Sequence, residues 1–242
     1  MLASELRAHY LHAMGIDAWR LRAVGDDALS GIEEARVKPA VAPVPGAYAP
    51  LADAWTILQR EVEVCVRCDL HRTRTQTVFG AGYRTAEWLV IGGAPSIDDE
   101  QRGEPFAGSA GQLFDAMLAA ISLDRNRAYL TNILKCRPPE NRDPQVNESA
   151  SCELYLQRQI DLIQPQLIVA LGRIAAQSLL KTDAPLTQLR GQVHRYGKVQ
   201  TPLIVTYHPA DLLRDPRDKR AAWEDLQLAM KVGRDFSRGT VE

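Results

Sequence analysis

The chain of 242 residues lacks any apolar run long enough to span a bilayer. Its N-terminus also lacks the apolar core of a secretory signal peptide. These absences argue against a membrane protein and make the cytoplasm the expected location. An excess of basic charge is missing too: 29 Lys and Arg stand against 30 Asp and Glu, a formal net charge of −1. A chain so balanced is not a general polyanion binder, so any grip on a phosphate backbone has to come from a local cluster. Cysteine is scarce, at four residues. In a reducing compartment that argues against a disulfide scaffold and leaves either singly buried thiols or a metal site. No internal repeat is present. What remains, 45% hydrophobic and 24% charged residues, is the composition of an ordinary globular domain.

Residues 1–24 read as a helical peptide, with Leu2, Leu6, Tyr10 and Met14 on one stripe. Residues 25–50 carry Pro39, Pro43, Pro45 and Pro50 among alanines and valines, which suits an extended linker. A domain is expected over 51–242. Inside it lie four strand-length apolar runs, Glu87–Ile91, Ala128–Ile133, Gln166–Leu171 and Leu203–Tyr207. None alternates with polar residues, as expected for strands covered on both faces. Helical spacing fills Gly111–Ile121, Val146–Ile163 and Arg173–Leu180, and Arg217–Val232 closes the chain. This alternation predicts an α/β fold of three layers, α/β/α, about a central, mainly parallel four-stranded sheet.

Ligands of such sheets sit beyond the carboxyl ends of the strands. The first predicted strand is followed by Gly92-Gly93-Ala94-Pro95-Ser96-Ile97-Asp98-Asp99, the second runs through Asn132 to Cys136, and the fourth ends at His208-Pro209. Small residues, an amide, acids and a histidine should therefore meet on one edge. Cys65 and Cys68 form a C-x-x-C pair, with Cys136 and Cys152 far downstream. A single turn brings the first two sulfurs together, and the fold must return the others. Spacing alone suits zinc as well as an iron–sulfur cluster.

Several segments, in order, carry a resemblance to a known family. They are Cys65-Val66-Arg67-Cys68-Asp69-Leu70, then Arg74 and Val78-Phe79-Gly80, then Gly103-Glu104-Pro105-Phe106-Ala107-Gly108 with Gly111-Gln112-Leu113. Thr131-Asn132-Ile133-Leu134-Lys135-Cys136-Arg137-Pro138-Pro139 with Asn141-Arg142 follows, then Cys152-Glu153-Leu154-Tyr155, and finally His208-Pro209-Ala210-Asp211-Leu212-Leu213-Arg214. From about Val64 to Met230 the chain resembles the family 4 uracil-DNA glycosylases, the 4Fe–4S-containing branch of their superfamily. The resemblance implies hydrolysis of the N-glycosidic bond of deoxyuridine in DNA, as in base excision repair. It also implies that Cys65, Cys68, Cys136 and Cys152 ligate a structural 4Fe–4S cluster.

Such an enzyme must extrude its base and hold it in a pocket. Phe106 offers a flat apolar surface for the pyrimidine, and Gly93, Ala94 and Pro95 offer a turn beside it. The amide of Asn132 both donates and accepts, matching uracil O4 and N3–H together. His208 is the expected donor to uracil O2, where negative charge develops as the bond breaks. Asp99, with Asp98 beside it, or Asn141 would place or activate the attacking water. Arg137, Arg142 and Arg214, with Lys135 and Arg190, are candidates for phosphate contact, and Leu212 or Leu213 for a wedge into the emptied stack.

The chain departs from the family pattern after the first strand. Gly93 stands where a glutamate is usual, Ser96 where a glycine is usual, and Asp99 is one methylene shorter than the usual acid. Residues 10–22, with Trp19 near their end, are similar to the N-terminal peptide of the psi subunit of bacterial DNA polymerase III. That similarity implies docking to the clamp-loader chi subunit through residues 1–24. It also implies an alternative to the enzyme: a replisome protein of glycosylase fold with little or no activity.

Overall fold

A computed structural model describes residues 49–123 and 125–237. The expected docking peptide, 1–24, and all but the last two residues of the expected linker, 25–50, lie outside the described residues. Those last two, Ala49 and Pro50, already belong to the first helix, α1 (Ala49–Glu63). Proline is tolerated there because first-turn N–H groups have no partner within the helix.

The sheet is larger than expected. Its strands are β1 (Ala81–Gly82), β2 (Trp88–Gly92), β3 (Ala128–Asn132), β4 (Leu167–Leu171), β5 (Val193–Tyr196) and β6 (Thr201–Thr206). They lie in the order β1-β3-β2-β4-β6-β5. The four expected strands form the parallel centre, and β1 and β5 add antiparallel edges on β3 and β6. The central strands are buried almost throughout, whereas β5 alternates exposed and half-buried residues.

Alternation of side chains across the pleat divides the core in two. Leu89, Ile91, Ile168, Ala170, Leu203 and Val205 point to one face. There they meet α1, α4 (Val146–Ile163) and α5 (Gly172–Leu180) through Leu58, Leu156, Ile160, Ala175 and Leu179. Val90, Val169, Leu171 and Ile204 point the other way, to α3 (Gly108–Ala120) and α8 (Lys219–Ser237) through Phe114, Leu118, Ala222 and Leu226. This is the expected three-layer arrangement. Short helices α2 (Ile97–Arg102), α6 (Leu186–Leu189) and α7 (Pro209–Arg214) complete it.

From β2 the chain crosses over through α3 to β3, then returns through α4 to β4 on the other side of β2. Right-handed crossovers in opposite directions put these helices on opposite faces. The loops leaving β2 and β4 therefore diverge, and a crevice opens between them at the carboxyl edge. Among the described residues, no helix is long and apolar enough to cross a membrane.

Candidate active site

The crevice holds a cavity of about 440 Å³, walled by Gly93, Ala94, Pro95, Asn141 and His208 among others. Behind it lie Phe106 and Asn132. A Cβ built on Gly92 would fall 2.3 Å from Asn132 Oδ1 and 3.0 Å from the Phe106 ring, so the absence of a side chain at 92 lets both close over the strand end. The Phe106 and His208 rings lie 5.8 Å apart. The fold thus brings together Phe106, Asn132, His208 and the 93–95 turn from four separate stretches of chain.

Asn132 ends β3 and is 1% exposed, yet neither its amide nitrogen nor its amide oxygen has a hydrogen-bond partner. Leaving such groups unpaired inside a protein costs about 1–3 kcal/mol. The position is held from behind, because the buried Lys135 Nζ donates to the Asn132 carbonyl (2.8 Å) and to Thr131 Oγ1 (2.6 Å). A fixed backbone with an unpaired amide can meet a group that offers both a donor and an acceptor.

Phe106 is buried with its backbone at φ 56°. A bulky residue in the left-handed region costs about 1–3 kcal/mol unless its surroundings impose it. Two residues impose it here. Arg125 donates to the carbonyls of Pro105 and Phe106. Asp99 Oδ1 accepts the Ala107 N–H (2.6 Å), while its Oδ2 accepts the Ser96 N–H (2.9 Å) and closes the capping box that starts α2. Both oxygens of Asp99 are thus engaged, and the residue sits buried as a clamp on the Phe106 turn. Asp98 is exposed and lies against Gly108. Asn141 is exposed on the cavity wall, with left-handed backbone.

His208 is half-buried and caps α7: its Nδ1 accepts the Ala210 N–H at 3.2 Å. With Nδ1 accepting, the neutral ring carries its proton on Nε2 and can donate from there. Burial pulls the imidazole below its ordinary value of 6.5, and nearby Asp211 and Asp99 only partly push it back. The ring is therefore a neutral imidazole at pH 7, free to donate from Nε2.

Gly93 has a neighbour where a side chain would go. A Cβ there would lie 3.0 Å from Ile174 Cβ and 3.1 Å from its Cγ2. A side chain at this point, such as the usual glutamate, would need Ile174 to give way by a few tenths of an ångström.

The candidate DNA contacts divide. Of the two wedge candidates, Leu212 is 1% exposed and packs in the core, which corrects its candidacy, whereas Leu213 is 44% exposed. A single step along α7 separates the two faces. Lys135 and Arg190 are likewise corrected: Lys135 is fully buried, and Arg190 Nε donates to the buried Asp225 at 3.0 Å. Arg137 Nε donates to buried Glu100 (2.8 Å), and Arg142 grips buried Glu148 with both terminal nitrogens. Arg214 lies on the exterior, paired with Asp211. Sequence reasoning missed Arg125, because its partners are backbone carbonyls 19 and 20 residues away with no local signature.

The four cysteines are unpaired as disulfides and line one apolar cavity. Cys65 and Cys68 follow α1, Cys136 follows β3 and Cys152 lies in α4. Two donors aim at sulfur: Arg74 Nη1 at Cys136 Sγ (3.2 Å) and the Lys135 N–H at Cys152 Sγ (3.3 Å). Burial raises the thiols of Cys68 and Cys136, and that of Cys152 to about 11, with neighbouring cysteines adding to each rise. Four soft ligands around a dry cavity, with donors placed against their charge, fit an iron–sulfur cluster. Among the described residues, no three His, Cys, Asp or Glu side chains are grouped closely enough to hold a metal ion.

The sequence profile of the uracil DNA glycosylase superfamily matches residues 79–227. The type-4 uracil-DNA glycosylase of Archaeoglobus fulgidus is 44% identical over 181 residues, covering 72% of this chain and 89% of the relative. That of Sulfurisphaera tokodaii is 36% identical over 197 residues, 78% of this chain and 90% of the relative. That of Pyrobaculum aerophilum is 35% identical over 184 residues, 74% and 94%.

Proposed function

This chain belongs to the uracil DNA glycosylase superfamily, in its type-4 branch, and from that premise we propose that it hydrolyses the N-glycosidic bond of deoxyuridine in DNA. The observation that carries the reading is the Asn132 amide, buried with both polar atoms unpartnered beside Phe106. An extruded uracil, stacked on Phe106, would give its N3–H to Oδ1 and accept at O4 from Nδ2. Cytosine presents the opposite pattern at those atoms.

Bond cleavage leaves the N1–C1′ electron pair on uracil, and water adds to C1′ with loss of a proton. His208 stabilises the leaving anion by donating from Nε2 to uracil O2, a contact worth roughly 3–4 kcal/mol in a water-poor site. Asn141, an exposed amide on the cavity wall, would hold the water. Asp99 acts by positioning: it fixes the turn that presents Phe106. The four cysteines would hold a 4Fe–4S cluster, which supplies a structural tie and takes no part in the bond cleavage. Leu213 and Arg214 on α7 would contact the strand. Residues 1–24 would dock the clamp-loader chi subunit; equal capture of chi by Trp19→Ala and wild type overturns that assignment.

The test is release of uracil from a uracil-containing single strand by cluster-loaded protein. His208→Ala should slow release about 10²–10³-fold, and Asn132→Ala should abolish it under the same conditions. Wild-type release no faster than that of these variants would overturn the enzyme reading.

A further inference from the structure

Arg137, Arg142, Arg173, Arg190 and Arg214 each have an acidic partner, but the partners are of two kinds. Arg137 and Arg142 are held by glutamates whose side chains are 4% exposed, and Arg190 by an aspartate that is 0% exposed. Among the described residues those carboxylates pair with no other cation, so releasing the arginine would leave a buried charge without its counter-ion. These three guanidiniums are locked.

Two others are held by acids facing water. Arg173, on the first turn of α5, donates from Nη2 to Asp143 Oδ2 at 2.6 Å; the side chains are 49% and 68% exposed. Arg214, at the end of α7, pairs with Asp211; those side chains are 79% and 37% exposed. Both pairs stand on the rim of the cavity that holds His208. A solvated ion pair binds weakly, and its aspartate, once released, is rehydrated at little cost. A DNA phosphate offers the same guanidinium a two-pronged acceptor in place of a weakly held carboxylate.

We infer that Arg173 and Arg214 are phosphate grips on either side of the extruded nucleotide, and that Asp143 and Asp211 occupy them until DNA exchanges for the carboxylates. The inference rests on the glycosylase reading for its ligand. It adds Arg173 to the binding surface, withdraws Arg137 and Arg142 from it, and gives the two aspartates a competing role. Acidic residues at a DNA-binding mouth would otherwise only repel the strand.

The test measures binding of the full, cluster-loaded chain to a uracil-free single-stranded oligodeoxynucleotide across a salt series. Arg173→Ala and Arg214→Ala should each weaken binding several-fold and lower the slope of log K against log salt by about 0.7, the value for one phosphate contact on a single strand. Asp143→Asn should do the reverse and tighten binding about threefold at low salt, by removing the competitor. Arg220→Ala, an exposed change outside the cavity rim, should leave the slope as it is. An unchanged slope for either rim arginine, or Asp143→Asn binding no tighter than wild type, overturns the inference. Uracil release is scored separately. Normal release with unchanged slopes sinks this inference alone, whereas the shifts without any release sink the glycosylase reading and leave the grips standing.

Discussion

At the scale of single residues, the Asn132 amide sets function against stability. Its two unpaired atoms stabilise nothing in the free protein. Replacing it by leucine, which has the same branched outline, should remove uracil release and at the same time raise unfolding stability by about 1–2 kcal/mol, measured by urea denaturation. A fall in stability would mean that the amide is satisfied in solution. His208 gives a second prediction. Its neutral form is the donor and its folded value lies below 6.5, so the release rate should hold steady as pH falls from 8 to 6.5 and decline only below that. The linkage has the same sign: the unfolded chain takes up the proton first, so this histidine's stability contribution is present above 6.5 and lost as pH falls through the lower folded value. An acid limb above 6.5 in the pH–rate profile would count against it. Phe106, Asn132 and His208 were legible in the sequence because each lies in a short run at a strand end or glycine turn. The fate of the arginines was not. Glu100 lies 37 residues from Arg137, and only folding shows that its carboxylate is buried.

At the scale of elements, α4 links the domain's acid chemistry to its cysteine centre. Its first turn is closed by Glu148, which accepts the Gln145 N–H (2.8 Å) and both terminal nitrogens of Arg142. Arg142 holds that carboxyl below its ordinary 4.5, so the stabilisation is complete above that value and is lost as pH falls through the lower folded one. Cys152 follows one turn later on the same helix. Glu148→Ala should cost about 1–2 kcal/mol in denaturant unfolding, the usual range for loss of a helix cap, and should lower the iron bound per chain. Full stability and full iron in this variant would show that the cap is dispensable. The long helix and the four central strands could be read beforehand because covering both faces leaves continuous apolar runs. β1 was missed because two residues carry no pattern, and β5 because Val-His-Arg-Tyr looks like surface.

At the scale of the whole molecule, a cluster on the four cysteines would join α1, the end of β3 and α4, with 86 residues of chain between Cys65 and Cys152. Closing loops of that size removes freedom chiefly from the unfolded chain. Cluster-loaded protein should therefore resist limited proteolysis between 64 and 76, while a colourless Cys136→Ser variant should be cut there first. Equal cutting of both would show that the tie is not structural. The two short edge strands matter on the same scale. All six residues of β6 are buried, and Leu203, Ile204 and Val205 have no charge among them. Were β5 lost, a long, unpaired apolar edge would face solvent and offer its N–H and C=O groups to the next molecule. The half-exposed β5, with His194 and Arg195, thus covers that edge and presents a charged, alternating strand to solvent in its place.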